Sequence, residues 1–315
     1  MDQPIIRAGV IGVGSLGQWH ARIYSELPGV ELAGVYDANP ARAEEIAARY
    51  HTRAFHDMAE LAGQIEAASI AVPADRHSAV AAELLARDVH LLVEKPIATR
   101  TDDAEAMVNL AHDRNLILQV GHVERFNPVL HYLEQILVNP RFIEAHRLAP
   151  YPPPRPGQPP RGTEISVVLD LMIHDLEVIL HLVRSPVATI HAVGVPVLSA
   201  SEDIANVRLT FANGCVANVT TSRISPELMR KIRVFQEDTY ISLDYQKQAG
   251  ELYRKQDGRI VKSAVPIEKG EPLAVELAAF IDCVRQRAQP LVSGEQGTQA
   301  LRLAAEICRQ LRAQR

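Results

Sequence analysis

Cysteine and aromatic residues are scarce in this chain, and its net charge is small. Its 315 residues include three cysteines, one tryptophan and 5% aromatics. Cys215, Cys283 and Cys308 have neither metal-ligand nor CxxC spacing. They read as free thiols, which excludes a disulfide framework or a cysteine-based zinc site. No apolar run approaches the roughly 18 residues that span a bilayer, so no transmembrane helix is expected. The formal charge is −5, which argues against a non-specific nucleic-acid binder. Met1-Asp2-Gln3-Pro4 lacks the basic-then-apolar build of a secretion signal, and with reduced thiols the expected location is the cytoplasm. What is present is ordinary for a globular protein: 47% hydrophobic and 23% charged residues. The length suggests two domains or one large one.

A strand is expected over Ile5–Ile11, then Gly12-Val13-Gly14-Ser15-Leu16-Gly17, then helical spacing through Trp19, Ile23 and Leu27. Strand, GxGxxG and helix in that order form the dinucleotide fingerprint. Gly12 permits the tight turn, Gly14 lets the backbone approach a pyrophosphate, and Gly17 lets the helix pack on the strand. The loop, with Ser15 and Leu16, opens a helix N-terminus whose N–H groups and partial charge suit an anion. A second strand, Glu31–Tyr36, ends in Asp37. An acid there accepts from the adenosine ribose hydroxyls and repels a 2′-phosphate, which favours NAD over NADP. The alternative is that Asp37 only caps the helix opening near Pro40. Arg42, inside that helix, is the one feature leaning toward NADP.

The alternation continues through a strand over Ala67–Val72 ending at Pro73, a helix over Asp75–Arg87, a strand into Glu94-Lys95-Pro96, a helix over Thr101–Arg114 and a strand over Leu116–Val120. Repeated β-α units at this spacing predict a doubly wound parallel sheet with right-handed crossovers. The strands' carboxyl ends then share one edge, where open α/β sheets bind ligands. Lys95 at that edge is placed for chemistry on a small molecule; the bland alternative is a solvated lysine.

Past residue 121 the pattern changes. Residues 150–162 hold a proline-rich stretch, Pro150-Tyr151-Pro152-Pro153-Pro154-Arg155-Pro156-Gly157-Gln158-Pro159-Pro160-Arg161-Gly162, which is stiff and extended. It suits a linker, an SH3-type ligand or, as favoured here, a structured loop lining the cleft. Arg155 and Arg161 would there meet an anionic substrate, unless they are simply solvated. Thr163–Val183 is apolar almost all round and reads as a buried helix, interrupted by Asp170 and His174 one turn apart. The pair fits a tautomer-orienting arrangement for proton transfer, half of a metal site that no other cluster completes, or a satisfied core histidine. Seven strands follow between Ile190 and Val265, with hairpin signals at Asn213-Gly214 and Asp257-Gly258. This predicts a largely antiparallel sheet with one face packed on the buried helix and one needing a partner. Helices over Leu273–Arg287 and Glu295–Arg312 close the chain.

Taken together, Gly12-x-Gly14-x-x-Gly17, Asp37, Glu94-Lys95-Pro96 and Asp170-x-x-x-His174 resemble the glucose–fructose oxidoreductase / inositol dehydrogenase / rhizopine-catabolism (Gfo/Idh/MocA) family over nearly the whole chain. The fold expected is α/β: an N-terminal Rossmann domain over 1–122, then an α+β domain over 123–315 with an open sheet used for homodimer or homotetramer contacts. The terminal helices are candidates to pack back on the first domain. The resemblance implies hydride transfer from a sugar or cyclitol carbon to NAD, with Lys95, Asp170 and His174 as catalytic trio and no metal. Lys95 or His174 takes the proton, Lys95 steadies the oxygen, and Glu94 faces the nicotinamide ribose. Pro73 and His77 match positions at the cofactor, and the Lys95–Pro96 bond is expected to be cis. Glu164-Ile165-Ser166-Val167-Val168-Leu169 and Val72-Pro73-Ala74 depart from the family's glycine-rich and Thr-Pro-Asn forms.

Gly121-His122-Val123-Glu124-Arg125-Phe126-Asn127-Pro128 resembles members acting on nucleotide-linked amino sugars. Arg125, Arg155 and Arg161 are the expected substrate contacts, and the proline-rich loop with Arg155 and Arg161 fits a diphosphate-bearing substrate. The expected substrate is the 3-OH of a UDP-N-acetylhexosamine, the second choice a free sugar or inositol. A non-catalytic NAD-binding regulator is the rival from another class, disfavoured because Lys95, Asp170 and His174 are all retained.

Overall fold

The computed structural model describes residues 4–154, 160 and 162–314. Two compact units emerge, residues 1–123 with 271–298, and residues 124–270 with 299–315.

The first unit alternates β1 (Ile6–Ile11), α1 (Gly17–Glu26), β2 (Val30–Tyr36), α2 (Pro40–Arg49), β3 (Ala54–Phe55), α3 (Met58–Ala62), β4 (Ala67–Ile70), α4 (His77–Leu85), β5 (His90–Glu94), α5 (Thr101–Asp113) and β6 (Leu118–Gly121). The six strands lie in the order β3-β2-β1-β4-β5-β6, every pair parallel. This is the doubly wound Rossmann order, whose direction reverses between β1 and β4 and so opens a crevice at their carboxyl ends. β4 and β5 are buried throughout, as two-sided burial by helices requires. The short β3 and α3 were not foreseen; neither is long enough to leave a periodic signature.

In the second unit α6 (Pro128–Ile136) opens on Asn127, whose side chain accepts from Val129 N. β7 (Phe142–Leu148) follows, then α7 (Ile173–Val183), β8 (Val187–Val195), β9 (Ile204–Phe211), β10 (Val216–Ser222), β11 (Met229–Phe235), β12 (Thr239–Asp244), β13 (Ala249–Gln256) and β14 (Arg259–Ala264). The eight strands run β14-β13-β12-β11-β7-β10-β9-β8, antiparallel except for the β7–β10 pair. Both hairpin signals form turns: Gly214 has φ +84°, and Asp257 and Gly258 have φ +48° and +74°. β8 ends at Val195, because Pro196 has no N–H to continue the ladder.

α8 (Pro272–Gln286) belongs to the first unit, where Leu277, Phe280, Ile281 and Val284 join the core around β1 and α1. α9 (Gly294–Ala313) contributes Ala300, Ala304, Ile307, Cys308 and Leu311 to the second unit's core beside Ile173, Leu176 and Ile179 of α7. Among the described residues no helix is long and apolar enough to cross a membrane.

Candidate active site

At the end of β1 the chain turns through Gly12 at φ +85°. A side chain there would stand 2.8 Å from Val72 N, and one at Gly17 would run into the carbonyl oxygen of Gly12. These two glycines fix the turn and the seating of α1. Around Gly14 nothing lies within 4 Å of where a Cβ would stand. Gly14, Ser15 and Leu16 are exposed, and no side chain caps α1. Open space over a glycine and an uncapped helix N-terminus fit the diphosphate of a dinucleotide.

Asp37 ends β2 and does two things at once. Its Oδ2 accepts from Val13 N and its Oδ1 from Asn39 N, both at 2.9 Å. It therefore braces the glycine loop rather than capping α2, whose N-cap is Asn39. A carboxylate has about four acceptor positions, so capacity remains for ribose hydroxyls. Arg42 is committed elsewhere, its Nε donating to Val13 O at 2.8 Å and its Nη1 to Glu45 at 2.7 Å. The cation that leaned toward NADP is thus held by the protein itself.

Glu94 closes β5, only 8% exposed. His20 Nε2 meets its Oε1 at 3.1 Å, and Lys95 N donates to its Oε2 at 3.2 Å. Burial alone would raise the Glu94 pKa; the His20 hydrogen bond and the nearby positive charge of Lys95 outweigh it and hold the group below the ordinary carboxylate range. His20 escaped the sequence reading. The available signal was a polar residue on the buried Gly17–His20–Ala21–Tyr24 stripe of α1.

The Lys95–Pro96 bond is cis. Its surroundings are held by His77, which is 1% exposed and has Nδ1 2.9 Å from Pro96 O and Nε2 3.0 Å from Val72 O. Both ring nitrogens are spent on backbone carbonyls, so the expected cofactor contact of His77 is replaced by a strut beneath the strand ends. Two carbonyls favour a doubly protonated ring, but burial opposes the charge and holds the His77 pKa below its usual value. Pro73 remains exposed at the edge after β4.

In the second unit Asp170 lies in a π-helical turn, Val168–Met172, that leads into α7 and carries His174 into its first turn. Single π turns inside helices recur at functional sites. Both side chains are partly exposed, whereas Asp175, Leu176 and Glu177 beside them are buried. The helix expected from Thr163 begins only at this turn. Gly162 and Ile165 give their carbonyls to Arg223 Nη1, at 2.5 and 2.9 Å, which withholds them from a helical ladder. Arg223 too was missed by sequence reading.

Arg125 requires a correction. It is 4% exposed and its Nη1 sits 2.7 Å from Glu177 Oε1. Arg147 likewise grips Asp175 through Nε and Nη2, at 2.7 and 3.1 Å, and reaches Glu124 at 3.0 Å. Arg125 is thus half of a buried ion pair, not an open guanidinium facing a substrate. Burial pushes the Asp175 and Glu177 carboxyls up, against the pull of their arginines. Arg155 and Arg161 lie outside the described residues. Among the described residues no group of three or more His, Cys, Asp or Glu could hold a metal ion. Cys215, Cys283 and Cys308 are free thiols.

The model of the oxidoreductase family with an NAD-binding Rossmann fold matches residues 6–122, and that of the GFO/IDH/MocA C-terminal domain matches residues 135–242. The chain belongs to the Gfo/Idh/MocA family. It is an NAD-binding oxidoreductase, as the open glycine loop and Asp37 indicate. It is 36% identical over 309 residues, 96% of each chain, to a UDP-N-acetylglucosamine 3-dehydrogenase from Acidithiobacillus ferrooxidans. A solved structure of the enzyme of that name from the same organism superposes with a TM-score of 0.92 over 98% of both chains. An inositol 2-dehydrogenase of Rhizobium meliloti is 24% identical over 98% of each chain.

Proposed function

We propose that this Gfo/Idh/MocA protein is an NAD-dependent dehydrogenase that oxidises the 3-hydroxyl of a UDP-N-acetylhexosamine. The observation that carries the substrate is the 36% identity over 96% of the chain to a UDP-N-acetylglucosamine 3-dehydrogenase. NAD supplies the hydride acceptor. Asp37 takes the adenosine ribose hydroxyls, and the loop Gly12, Gly14, Ser15, Leu16 and Gly17 takes the diphosphate. Glu94, oriented by His20, accepts from the nicotinamide ribose, and Pro73 shapes the same edge.

For the sugar, Lys95 donates a hydrogen bond to the reacting oxygen and stabilises charge on it. His174 accepts the hydroxyl proton, and Asp170 orients the imidazole or binds a neighbouring hydroxyl. Arg155 and Arg161 are assigned to the diphosphate of the nucleotide. The second reading, an inositol dehydrogenase, is supported by the weaker match to the Rhizobium enzyme. Retention of Lys95, Asp170 and His174 disfavours a non-catalytic regulator. We place the protein in the cytoplasm as a homodimer or homotetramer through its open sheet, where Val193 and Ile260 are 64% and 78% exposed. Light scattering on the purified chain tests the assembly.

The activity test is NADH formation with UDP-sugars, free sugars and cyclitols offered separately. Turnover confined to UDP-N-acetylhexosamines is the expected result. Turnover on inositol with none on UDP-sugars would overturn the substrate assignment.

A further inference from the structure

Arg223 follows β10 directly and is 2% exposed, yet all five of its guanidinium N–H groups are used. Nε donates to Asp203 Oδ1 at 2.8 Å. Nη1 donates to the carbonyls of Gly162 and Ile165 at 2.5 and 2.9 Å. Nη2 reaches Ser201 Oγ at 3.2 Å and Glu202 O at 3.1 Å. Asp203, fully buried, is itself pinned by the backbone N–H groups of Val197, Leu198 and Ser199, at 2.6 to 2.8 Å on its Oδ2. The turn between β8 and β9 thus forms a rigid base, and Arg223 ties residues 162–165 to it.

Those residues touch the candidate site. Gly162 has φ +80°, and a Cβ there would stand 2.9 Å from Cγ and 3.3 Å from Oδ1 of Asp170. The Gly162 backbone is therefore pressed against the Asp170 carboxyl group. The π turn is anchored to the same base, since Val167 N donates to Glu202 O at 3.0 Å and Ser166 O receives Leu169 N and Asp170 N. Five donors on one planar group fix both the wall beside Asp170 and the start of its turn.

We propose that Arg223 is a positioning residue: through the carbonyls of Gly162 and Ile165 it sets where the Asp170 carboxylate stands. The proposal rests on the assignment of Asp170 to the sugar site. A lysine at 223 keeps the charge beside Asp203 but has three donors on one nitrogen and cannot span both sides of the junction.

The experiment compares the full-length parent with Arg223→Lys and Gly162→Ala by peptide-level hydrogen exchange and by steady-state kinetics with NAD and UDP-N-acetylglucosamine. In Arg223→Lys, exchange over residues 162–172 is expected to rise about tenfold or more while residues 176–183 change less than about twofold. Turnover falls by about tenfold or more with the KM for NAD unchanged, and Gly162→Ala lowers turnover in the same way although Arg223 is intact. Uniformly faster exchange across residues 124–270, or unchanged exchange over 162–172, would overturn the proposal. So would a loss of turnover in Arg223→Lys as large in an Asp170→Asn background as in the parent. A parent that oxidises no sugar sinks the function instead, and the exchange pattern still decides the role of Arg223.

Discussion

His20 Nε2 lies 3.1 Å from Glu94 Oε1, joining the helix after the glycine loop to the strand end before Lys95. Two segments 74 residues apart in sequence are thereby fixed together under the cofactor edge. His20→Ala leaves Oε1 of the buried Glu94 carboxylate without its His20 partner. A stability loss of about 1–3 kcal/mol is expected in denaturant melts, with NAD affinity weakened about tenfold in NADH fluorescence titrations. Full affinity in His20→Ala would remove Glu94 orientation from the account.

Asp37→Asn separates charge from bracing. The amide keeps an acceptor for Val13 N or Asn39 N but no longer repels a 2′-phosphate. The ratio of NADP to NAD affinity should rise by about one to two orders of magnitude, mostly through weaker NAD binding. Titration of both cofactors checks it; an unchanged ratio would show that Asp37 only braces the loop.

Arg125→Ala should act on stability, not on substrate. Glu177, 3% exposed, would be left buried without its cation, at a cost of about 3–5 kcal/mol. Thermal melts should fall sharply, while protein folded at low temperature retains the parent's KM for the sugar. A selective rise in KM without loss of stability would return Arg125 to the substrate site.

His90, 4% exposed, is held at a pKa of about 4 by burial first and by the Arg287 charge second. The folded value lies below the unfolded one of about 6.5, so the unfolded chain binds more protons between these values. The contribution is complete above pH ~6.5 and is lost as pH falls toward ~4. His90→Gln should be less stable at neutral pH yet show a flatter fall in stability from pH ~6.5 to ~4. Parallel curves for parent and variant would contradict this.

What sequence disclosed and what it hid divide by distance along the chain. The β-α alternation, the glycine loop and the Asp257-Gly258 turn are local patterns, and each forms where periodicity and turn chemistry put it. The start of the Asp170 helix was misplaced because the competitor for its carbonyls, Arg223, lies 61 and 58 residues away from Gly162 and Ile165. Arg125 was misassigned for the same reason, its partner Glu177 being 52 residues on. An arginine in isolation looks the same whether it faces a substrate or closes a buried ion pair. His77 carried a family position, but its two carbonyl partners, Val72 and Pro96, became visible only when β4 and β5 paired.

Lys95 and His174 can be told apart by chemical rescue. If His174 takes the proton, His174→Ala should lose about two to four orders of magnitude in turnover and regain part of it with added imidazole. Lys95→Ala should then lose turnover without that rescue. Rescue of Lys95→Ala by small amines, with His174→Ala little affected, would exchange the two roles.

The most direct test of the central claim is to supply NAD with UDP-N-acetylglucosamine deuterated at C3 of the sugar. The account predicts that the deuterium appears in the reduced cofactor and that the parent forms a 3-keto sugar nucleotide. Reduced cofactor without deuterium, or no reduction with this substrate while inositol reduces NAD, would contradict it.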